Sequence, residues 1–589
     1  MKQTENYNQK LRIPDKLFTP QNGVRLTGGL FRRVFDDNIM FNLTRLDMDR
    51  MRYWFDIKAG REPKGIRYSG HFEDNLKGQT ASQYLMCAGN ALRWEENEAL
   101  RAGMNEVLDF LEDSQEIDGF LMPIDQSDFA HREYPHYVRI WLTYGLLAAG
   151  RAGEKRAYRM MRLFQDWFNR CPDLPVIKYL ELAFQGVVAS PLVYLSPIGV
   201  EDDMRISREV YEEDWRLGQF LHNEDWAVCT RKQPGREPHP HGSELEAFEG
   251  YLDLYRWTGA PYYLNAVRNV ILQYRRDWQY PGGGIIMCER FGAAQGHRVL
   301  YDSKEQRYNE MCTSVFWMGI HQRLHRLYPE EESHVFEIEQ SLYNVVFALQ
   351  NSSVDIRSFA TLDERVREPI RPNSCCSGTG TMAMAKLPEY LFSMNDSLLS
   401  CDIFAPAELT WERENGNVLV KETTDYPFSG KVFLAFEMES PHDFAVQVRI
   451  PCYAAAESIP VLLNGEKVAE GTPGSYVKLA RLWQSGDTLS LDIPFSWRMH
   501  TYVGEHDVEG YRRCAFTYGP LLYALRGPRT HPNGVPVTGA PEEFTARLKP
   551  NGISMHYTVD GMDGYDMIPY YEIMPNEHFV CFPLFEKEK

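Results

Sequence analysis

This 589-residue sequence lacks the features that mark membrane proteins and secreted proteins. No apolar run reaches the roughly 18 residues that a membrane span needs, so we expect no membrane partner. The first residues, MKQTENYNQKLRIPDK, contain no apolar h-region, which predicts that this chain carries no signal peptide. We expect a cytoplasmic location, or a periplasmic one if the chain has been processed.

The sequence also has fewer positively charged residues than negatively charged ones. The chain has 63 Lys and Arg against 82 Asp and Glu, which gives a formal net charge of −19. Because this charge repels nucleic acids and anionic membranes, neither is an expected partner. Aromatic residues are plentiful, with 33 Tyr and 12 Trp. Many will lie in the core, but in a cleft such rings are flat, amphipathic platforms for the faces of sugars.

Cysteine is sparse, and its distribution excludes one class of protein. The 11 cysteines are odd in number and scattered, unlike the disulfide framework of a small secreted domain. We expect most of them to be buried apolar residues. The exception is the stretch RPNSCCSGTGTMAMAKLPEY, in which Cys375 and Cys376 are adjacent. We interpret the following Ser-Gly-Thr-Gly as a turn in which the backbone can approach a ligand closely.

The region from residue 37 to about 395 is predicted to be a succession of helices. In NEALRAGMNEVLDFLEDSQ, one face carries Leu100, Met104, Val107, Leu108 and Leu111. Further helices are expected near 75–92, 136–150, 154–169, 243–257, 261–277, 333–349 and 379–394. About a dozen helices without matching strands favour paired helices stacked in a ring or a solenoid, and no strict sequence repeat is present.

From about residue 399 the pattern changes to short strands of period two. They lie in VLVKETTDYPFSGKVFLAFEMES, FAVQVRIP, IPVLLNGEKV and DTLSLDIPFSW. The pair Asn464–Gly465 is a strong signal for a hairpin turn. This region is predicted to be an antiparallel β-sandwich. A helical toroid followed by a β-sandwich is typical of carbohydrate enzymes, but fold analogy alone does not establish an activity.

A second stretch, RYNEMCTSVFW, contains potential metal ligands. Glu310 and Cys312 would diverge in mid-helix, but in the non-helical lead-in to a helix they can converge. Together with Cys375 and Cys376 they supply three thiols and one carboxylate, a set that suits Zn²⁺. The C-x₂-C spacing of zinc fingers is absent. Two alternatives stay open: Cys312 as a core residue, and a strained disulfide between Cys375 and Cys376.

The order of these motifs resembles glycoside hydrolase family 127 and its near relatives, typified by β-L-arabinofuranosidases. That family has E-T-C-A-S where this chain has EMCTS, followed later by a C-C pair. Further segments are similar and keep the family's order: HFEDNLKGQTASQYL, LEDSQEIDGFLMP, VQVRIPCYA, LLNGEKV, RLWQSGDTLSLDIP and YGPLLYAL. The resemblance implies a mainly α protein with β, in which an (α/α)₆-barrel catalytic domain spans residues 1–398 and β-sandwich domains span 399–589. A short N-terminal segment is expected to pack on the β region.

The resemblance also implies a site. In the family a zinc ion is held by one glutamate and three cysteines, and the first of the paired cysteines is the nucleophile. By matching, the metal ligands are Glu310, Cys312, Cys375 and Cys376, and the nucleophile is Cys375. The general acid/base matches Glu289, with Glu305 as the alternative. Substrate contacts are expected from His136, His241 or His239, Gln185 and Arg371.

The expected activity is retaining, exo-acting release of an L-arabinofuranose-like furanoside from plant cell-wall oligosaccharides. Two departures lie at the sugar-binding end: CCSGTG in place of the family's C-C-P-P-N, and Gln185 in place of a histidine. They leave open other furanosides of pectin side chains, such as an aceric acid-type sugar whose carboxylate Arg371 could meet. Two further alternatives are an ordinary hydrolase or lyase with a carboxylate pair, and a non-catalytic glycan-binding protein.

Overall fold

The computed structural model describes residues 10–68, 76–129, 134–172, 189–212, 242–285, 309–350, 356, 358, 361–363, 375–504, 506–574 and 577–587. Helices occupy the first part of this chain and strands the second. Within these residues, no helix combines the length and the apolar character needed to cross a membrane.

We number the α-helices of six or more residues in chain order. They are α1 (Gly29–Asp37), α2 (Met48–Lys58), α3 (Gln79–Leu92), α4 (Glu98–Ser114), α5 (Tyr134–Arg151), α6 (Lys155–Asn169), α7 (Ala189–Tyr194), α8 (Glu201–Glu212), α9 (Gly242–Thr258), α10 (Pro261–Asp277), α11 (Met311–Leu327), α12 (Glu332–Ser341) and α13 (Cys375–Ala385). A π-helical segment, Asn38–Leu43, extends α1, and another, Leu342–Val346, extends α12.

The helices form two concentric rings. The inner ring consists of α3, α5, α7, α9, α11 and α13, each in contact with the next, and α13 closes the ring against α3. The outer helices α4, α6, α8, α10 and α12 each pack on the inner helix that precedes them, and α1 packs outside α13. This arrangement is the predicted (α/α)₆ barrel. Because an outer helix returns the chain after each inner one, all six inner helices begin at the same end of the barrel.

The sequence patterns explain which helices are inside. Every residue of α3 is buried, so this helix has no solvent face. The outer helix α4 instead shows one apolar stripe, and the five apolar residues predicted to share its face are all buried. The inner helix α3 is therefore buried on all sides, whereas the outer helix α4 is buried along one face.

Two predictions around the paired cysteines are wrong in detail. Helix α13 begins at Cys375 and ends at Ala385, and Phe392–Met394 is a strand, so no helix spans 379–394. The glycines after the pair are helical and form no turn. A Cβ added at Gly378 would overlap the carboxamide of Gln83, and one at Gly380 would lie 2.8 Å from Met311 Cε. Glycine is needed here for close packing between helices.

The strands are β1 (Val24–Leu26), β2 (Phe392–Met394), β3 (Leu398–Cys401), β4 (Ala407–Trp411), β5 (Val418–Thr424), β6 (Lys431–Met438), β7 (His442–Ile450), β8 (Ile459–Leu463), β9 (Glu466–Gly471), β10 (Ser475–Trp483), β11 (Thr488–Asp492), β12 (Trp497–Thr501), β13 (Tyr511–Tyr518), β14 (Leu521–Arg526), β15 (Pro536–Val537), β16 (Leu548–Pro550), β17 (Tyr557–Val559), β18 (Asp566–Pro569), β19 (Phe579–Val580) and β20 (Leu584–Glu586).

These strands form three sheets. Their orders are β1-β4-β5-β6-β11-β8-β9, then β10-β7-β3-β2, then β15-β20-β13-β14-β18-β17-β16, with β12 paired to β13 and β19 to β14. Neighbouring strands are antiparallel except in the pairs β3–β7 and β15–β20. Residues Asn464 and Gly465 both have positive φ, 52° and 84°, between β8 and β9. The predicted hairpin is confirmed, since a two-residue turn of this type requires positive φ at both positions.

The contacts that join the helical part of the chain to the sheets include a strand pairing and a pair of buried ion pairs. Strand β1, from the N-terminal segment, pairs antiparallel with β4. Arg449 on β7 forms buried ion pairs with Glu332 and Glu339 on α12. The division of the chain into domains at residues 398 and 399 stays a prediction.

Candidate active site

Two inner helices begin at neighbouring points at one end of the barrel. Glu310 is the N-cap of α11 and has an extended backbone, with φ −70° and ψ 134°. Cys312 is the second residue of that helix, and Cys375 and Cys376 are the first two residues of α13. The extended backbone at Glu310 lets its side chain turn towards the same point as Cys312, as the sequence predicted.

The four side chains form one compact cluster. One ligand atom from each lies within 4.8 Å of the others. The Cys312 and Cys376 sulfurs are 3.2 Å apart, the Cys375 and Cys376 sulfurs are 3.9 Å apart, and Cys376 Sγ is 3.6 Å from Glu310 Oε1. None of the three cysteines forms a disulfide, so the bond between Cys375 and Cys376 considered above is absent.

The composition and spacing of the cluster suit a tetrahedral metal ion. Zn–S bonds of about 2.3 Å set sulfur–sulfur edges of roughly 3.8 Å in a tetrahedron. The two sulfur–sulfur distances of 3.2 and 3.9 Å lie on either side of this value. Burial raises the pKa of the Cys312 and Cys376 thiols well above the ordinary cysteine range. These thiols therefore need a nearby cation before they can ionise, and a bound metal ion is such a cation.

Neighbouring polar groups orient the ligands. The Thr313 hydroxyl donates to Glu310 Oε2 at 2.6 Å, which leaves Glu310 Oε1 towards Cys376. The Thr379 hydroxyl donates to the carbonyl of Cys375 at 2.9 Å. Asn309, directly before the ligand, is buried with φ 40°, a left-handed conformation that asparagine tolerates better than most residues. Outer contacts of this kind set the direction of metal ligands.

Of the other predicted site residues, His136 is the one that lies within the described part of the chain. His136 is in the first turn of α5, fully buried, with its ring 4.7 Å from that of Phe129. Its predicted contact with substrate stays a prediction. The remaining predicted residues lie outside the described residues: Glu289, Glu305, His239, His241, Gln185 and Arg371.

A cavity of about 900 Å³ occupies the interior of the barrel and is lined by all six inner helices. Four charged residues of α9 line it at helical spacing: Glu246, Glu249, Asp253 and Arg256. Arg323 of α11 pairs with Glu249 and Asp253. These residues were not among the sites predicted from the sequence. The available signal was a charged stripe with spacings of three and four along a helix whose other residues are mostly apolar.

Glu246 is the acid at the start of this stripe. It is buried, and its Oε1 has no hydrogen-bond partner within the described part of the chain. Burial, then the charge of Glu249, raises the pKa of Glu246 well above the usual carboxyl range, although the positive charge of Arg323 opposes the rise. The interior of the barrel therefore contains a carboxyl group that binds its proton more tightly than an ordinary glutamate does.

We expect Glu246→Gln to stabilise the protein by an amount that grows with pH. The raised pKa means that folded protein binds a proton that unfolded protein releases above about pH 4.3, so wild-type stability falls as pH rises towards the folded-state pKa. Glutamine is neutral throughout and avoids this loss. The measurement is the difference in Tm between variant and wild type from about pH 5 to pH 8.

The control for this experiment is Glu389→Gln. Burial alone would raise the pKa of Glu389, but Lys386, Arg93 and Arg151 together lower it to about 2. Its charged form stabilises the fold above the unfolded pKa, so this variant should be less stable than wild type at neutral pH and approach it as pH falls. A constant Tm difference for Glu246→Gln across the range would show that Glu246 is charged in the folded protein.

Comparison with known proteins supplies the family. The family model described as "Beta-L-arabinofuranosidase, GH127 catalytic domain" matches residues 23–389, and the one described as "Beta-L-arabinofuranosidase, GH127 middle domain" matches residues 398–495. No curated protein gives a significant match.

Two solved structures share the fold over nearly the whole chain. Ara127N-Se, a GH127 β-L-arabinofuranosidase from Geobacillus stearothermophilus T6, superposes with a TM-score of 0.73 at 17% identity, covering 96% of this chain and 100% of its own. The GH127 β-arabinofuranosidase BT3674 gives a TM-score of 0.74 at 15% identity, with 99% of each chain covered. Since the catalytic-domain model spans more than half of the sequence, the chain belongs to glycoside hydrolase family 127 and is a glycoside hydrolase.

Proposed function

We propose that the protein is a retaining, exo-acting glycosidase that releases an L-arabinofuranose-like furanoside from plant cell-wall oligosaccharides, with Cys375 as nucleophile in a zinc site. The observation that carries the proposal is the cluster of three thiols and one carboxylate at the end of the barrel where the inner helices begin. The structural relative from Geobacillus stearothermophilus, which carries the name β-L-arabinofuranosidase, supports the choice of sugar. The cysteines of the described residues form no disulfide, as expected in a reducing compartment.

Accessibility favours Cys375 among the four ligands. Glu310, Cys312 and Cys376 are buried, whereas Cys375 is partly exposed. A sugar can therefore approach the sulfur of Cys375 while the other three groups keep their positions. When bound, Zn²⁺ lowers the pKa of the thiols and keeps Cys375 as a thiolate at neutral pH.

The reaction then has two steps. The Cys375 thiolate attacks the anomeric carbon, so that a C–S bond forms while the bond to the leaving oxygen breaks and a general acid protonates that oxygen. Water, deprotonated by the same residue, next attacks the anomeric carbon from the vacated face and breaks the C–S bond. Two inversions give net retention. We propose Glu289 as this acid/base, with Glu305 as the alternative.

The substrate class is tested with a panel of aryl L-arabinofuranosides and pectin oligosaccharides, including one with an acidic furanoside. Proton NMR of the first product anomer distinguishes retention from inversion. Release of the β-anomer of L-arabinofuranose from a β-linked substrate supports the proposal. Release of the inverted anomer contradicts a cysteine nucleophile, and preference for the acidic furanoside selects the aceric acid-type alternative.

Metal content is a separate prediction. We expect one equivalent of zinc per chain by atomic emission, and loss of activity on chelation that added zinc restores. Cys376→Ser and Glu310→Gln each remove a ligand and should weaken zinc binding by more than the roughly 100-fold that loss of an outer contact costs. The matched control is Cys581→Ser, a buried thiol outside the cluster, which should retain zinc. Full activity in metal-free protein would contradict the zinc site.

A further inference from the structure

The first turn of α13 is held by side chains of the neighbouring inner helix α3. Gln83 of α3 is 5% exposed, and its Nε2 donates to the carbonyl oxygen of Cys375 at 3.3 Å. Its Oε1 accepts from Nε2 of Gln79, one turn earlier, at 3.1 Å. One turn later, the thiol of Cys87 lies 3.3 Å from the carbonyl oxygen of Gly378. Two carbonyl groups of this first turn therefore contact α3.

The packing leaves the Gln83 carboxamide in a defined place. It occupies the space next to Gly378, where a Cβ would overlap it. Gln79 is fully buried, and its Nε2 donates to the Gln83 oxygen. This bond fixes the orientation of the Gln83 carboxamide, so that its nitrogen faces Cys375. The Gln83 nitrogen is thus directed at Cys375, the residue at which α13 begins.

The Cys375 carbonyl accepts from a second side chain, Thr379, which also lies next to the metal cluster. The Thr379 hydroxyl donates to the Cys375 carbonyl at 2.9 Å and also lies 3.6 Å from Cys312 Sγ. Gln83 and Thr379 thus both donate to the Cys375 carbonyl, one from α3 and one from the next turn of α13 itself. Gln83 is the donor that ties this carbonyl to the neighbouring helix.

We propose that Gln83, supported by Gln79, is a positioning residue that holds the peptide of Cys375 and so aims its sulfur at the anomeric carbon. The proposal rests on the proposed role of Cys375 as nucleophile. Because the sulfur is attached to this peptide through only Cα and Cβ, a shift of the peptide moves the sulfur by a similar distance. A misplacement of about 1 Å at a reacting group can lower the rate by roughly 100-fold.

The experiment is Gln83→Met, which keeps the length of the side chain and removes the donor. We expect kcat to fall by roughly 10- to 100-fold, with KM and zinc content unchanged. Gln79→Met leaves Gln83 in place without its partner and should give a smaller loss of kcat. The matched control is Gln165→Met on the outer helix α6, where the same change removes hydrogen bonds to Asn169 and Ser190, neither of which belongs to the cluster. That variant should lose thermal stability and keep its kcat.

Each outcome supports or contradicts the inference. A wild-type kcat for Gln83→Met overturns the inference. A loss of kcat that is fully explained by a loss of zinc or of folded protein also overturns it, because such a loss indicates a structural role. If Gln83→Met does not fold, Gln79→Met decides, and an unchanged kcat in that variant overturns the inference. Activity in Cys375→Ala would instead reject the proposed function. An inactive Cys375→Ala with a fully active Gln83→Met would reject only the role of Gln83.

Discussion

Cys375→Ala should abolish turnover while the fold and the thermal stability are retained. The side chain is partly exposed, and alanine suits the first turn of a helix, so little packing is lost. Loss of a covalent nucleophile costs on the order of 10⁴- to 10⁶-fold in kcat, because no other group replaces the bond that it forms. The measurement is kcat on an aryl L-arabinofuranoside, together with the melting curve of the purified variant.

The matched control is Cys452→Ala, which removes an exposed thiol outside the cluster and should leave kcat unchanged. Mass spectrometry of wild-type protein mixed rapidly with substrate should detect a pentose-sized adduct on the peptide that contains Cys375. Near-normal turnover in Cys375→Ala would favour a hydrolase with a carboxylate pair and structural cysteines. Absence of turnover in both wild type and variant, with glycan binding retained, would favour a binding protein.

Arg449→Met should cause the largest loss of stability among single substitutions between the barrel and the sheets. Arg449 is fully buried, with Nε 2.8 Å from Glu332 Oε1 and Nη2 3.0 Å from Glu339 Oε2. The Tyr426 and Tyr453 hydroxyls also donate to Glu339, at 2.6 and 2.7 Å. Methionine fills much of the volume but leaves two buried carboxylates without their cation. Breaking a buried ion pair from one side costs about 3–5 kcal/mol.

The loss should lessen as pH falls, because Glu332 can take up a proton once its cation has been removed. Burial already raises the pKa of Glu332, and the positive charge of Arg449 opposes that rise. Urea unfolding at two pH values measures both effects. The control is Lys421→Met, which removes an exposed ion pair with Glu437, 2.6 Å in length, and should leave the unfolding midpoint unchanged. Equal midpoints for Arg449→Met and wild type would show that the network contributes nothing net.

Much of the fold and the chemistry of the site could be predicted from local sequence. Apolar spacing of three and four predicts the outer helices, because each buries one face, and strict alternation predicts strands such as β5 and β6. The types of the metal ligands could also be predicted. Three of the 11 cysteines and one glutamate lie in two short motifs, which sets them apart from the scattered cysteines elsewhere. Even the convergence of Glu310 and Cys312 follows from their place at the start of a helix.

Tertiary structure alone decided which of these residues meet. Cys312 and Cys376 are 64 positions apart in sequence, and they touch because α11 and α13 are neighbours in a closed ring, which no short-range periodicity encodes. The same packing makes the Ser-Gly-Thr-Gly segment helical, since the Gln83 side chain fills the space that a larger residue at 378 would need. It also gathers the charged stripe of α9 around an interior cavity. Sequence thus determined the chemical groups, and the packing of the inner helices determined their distances and their pKa values, because burial and contact are properties of the whole barrel.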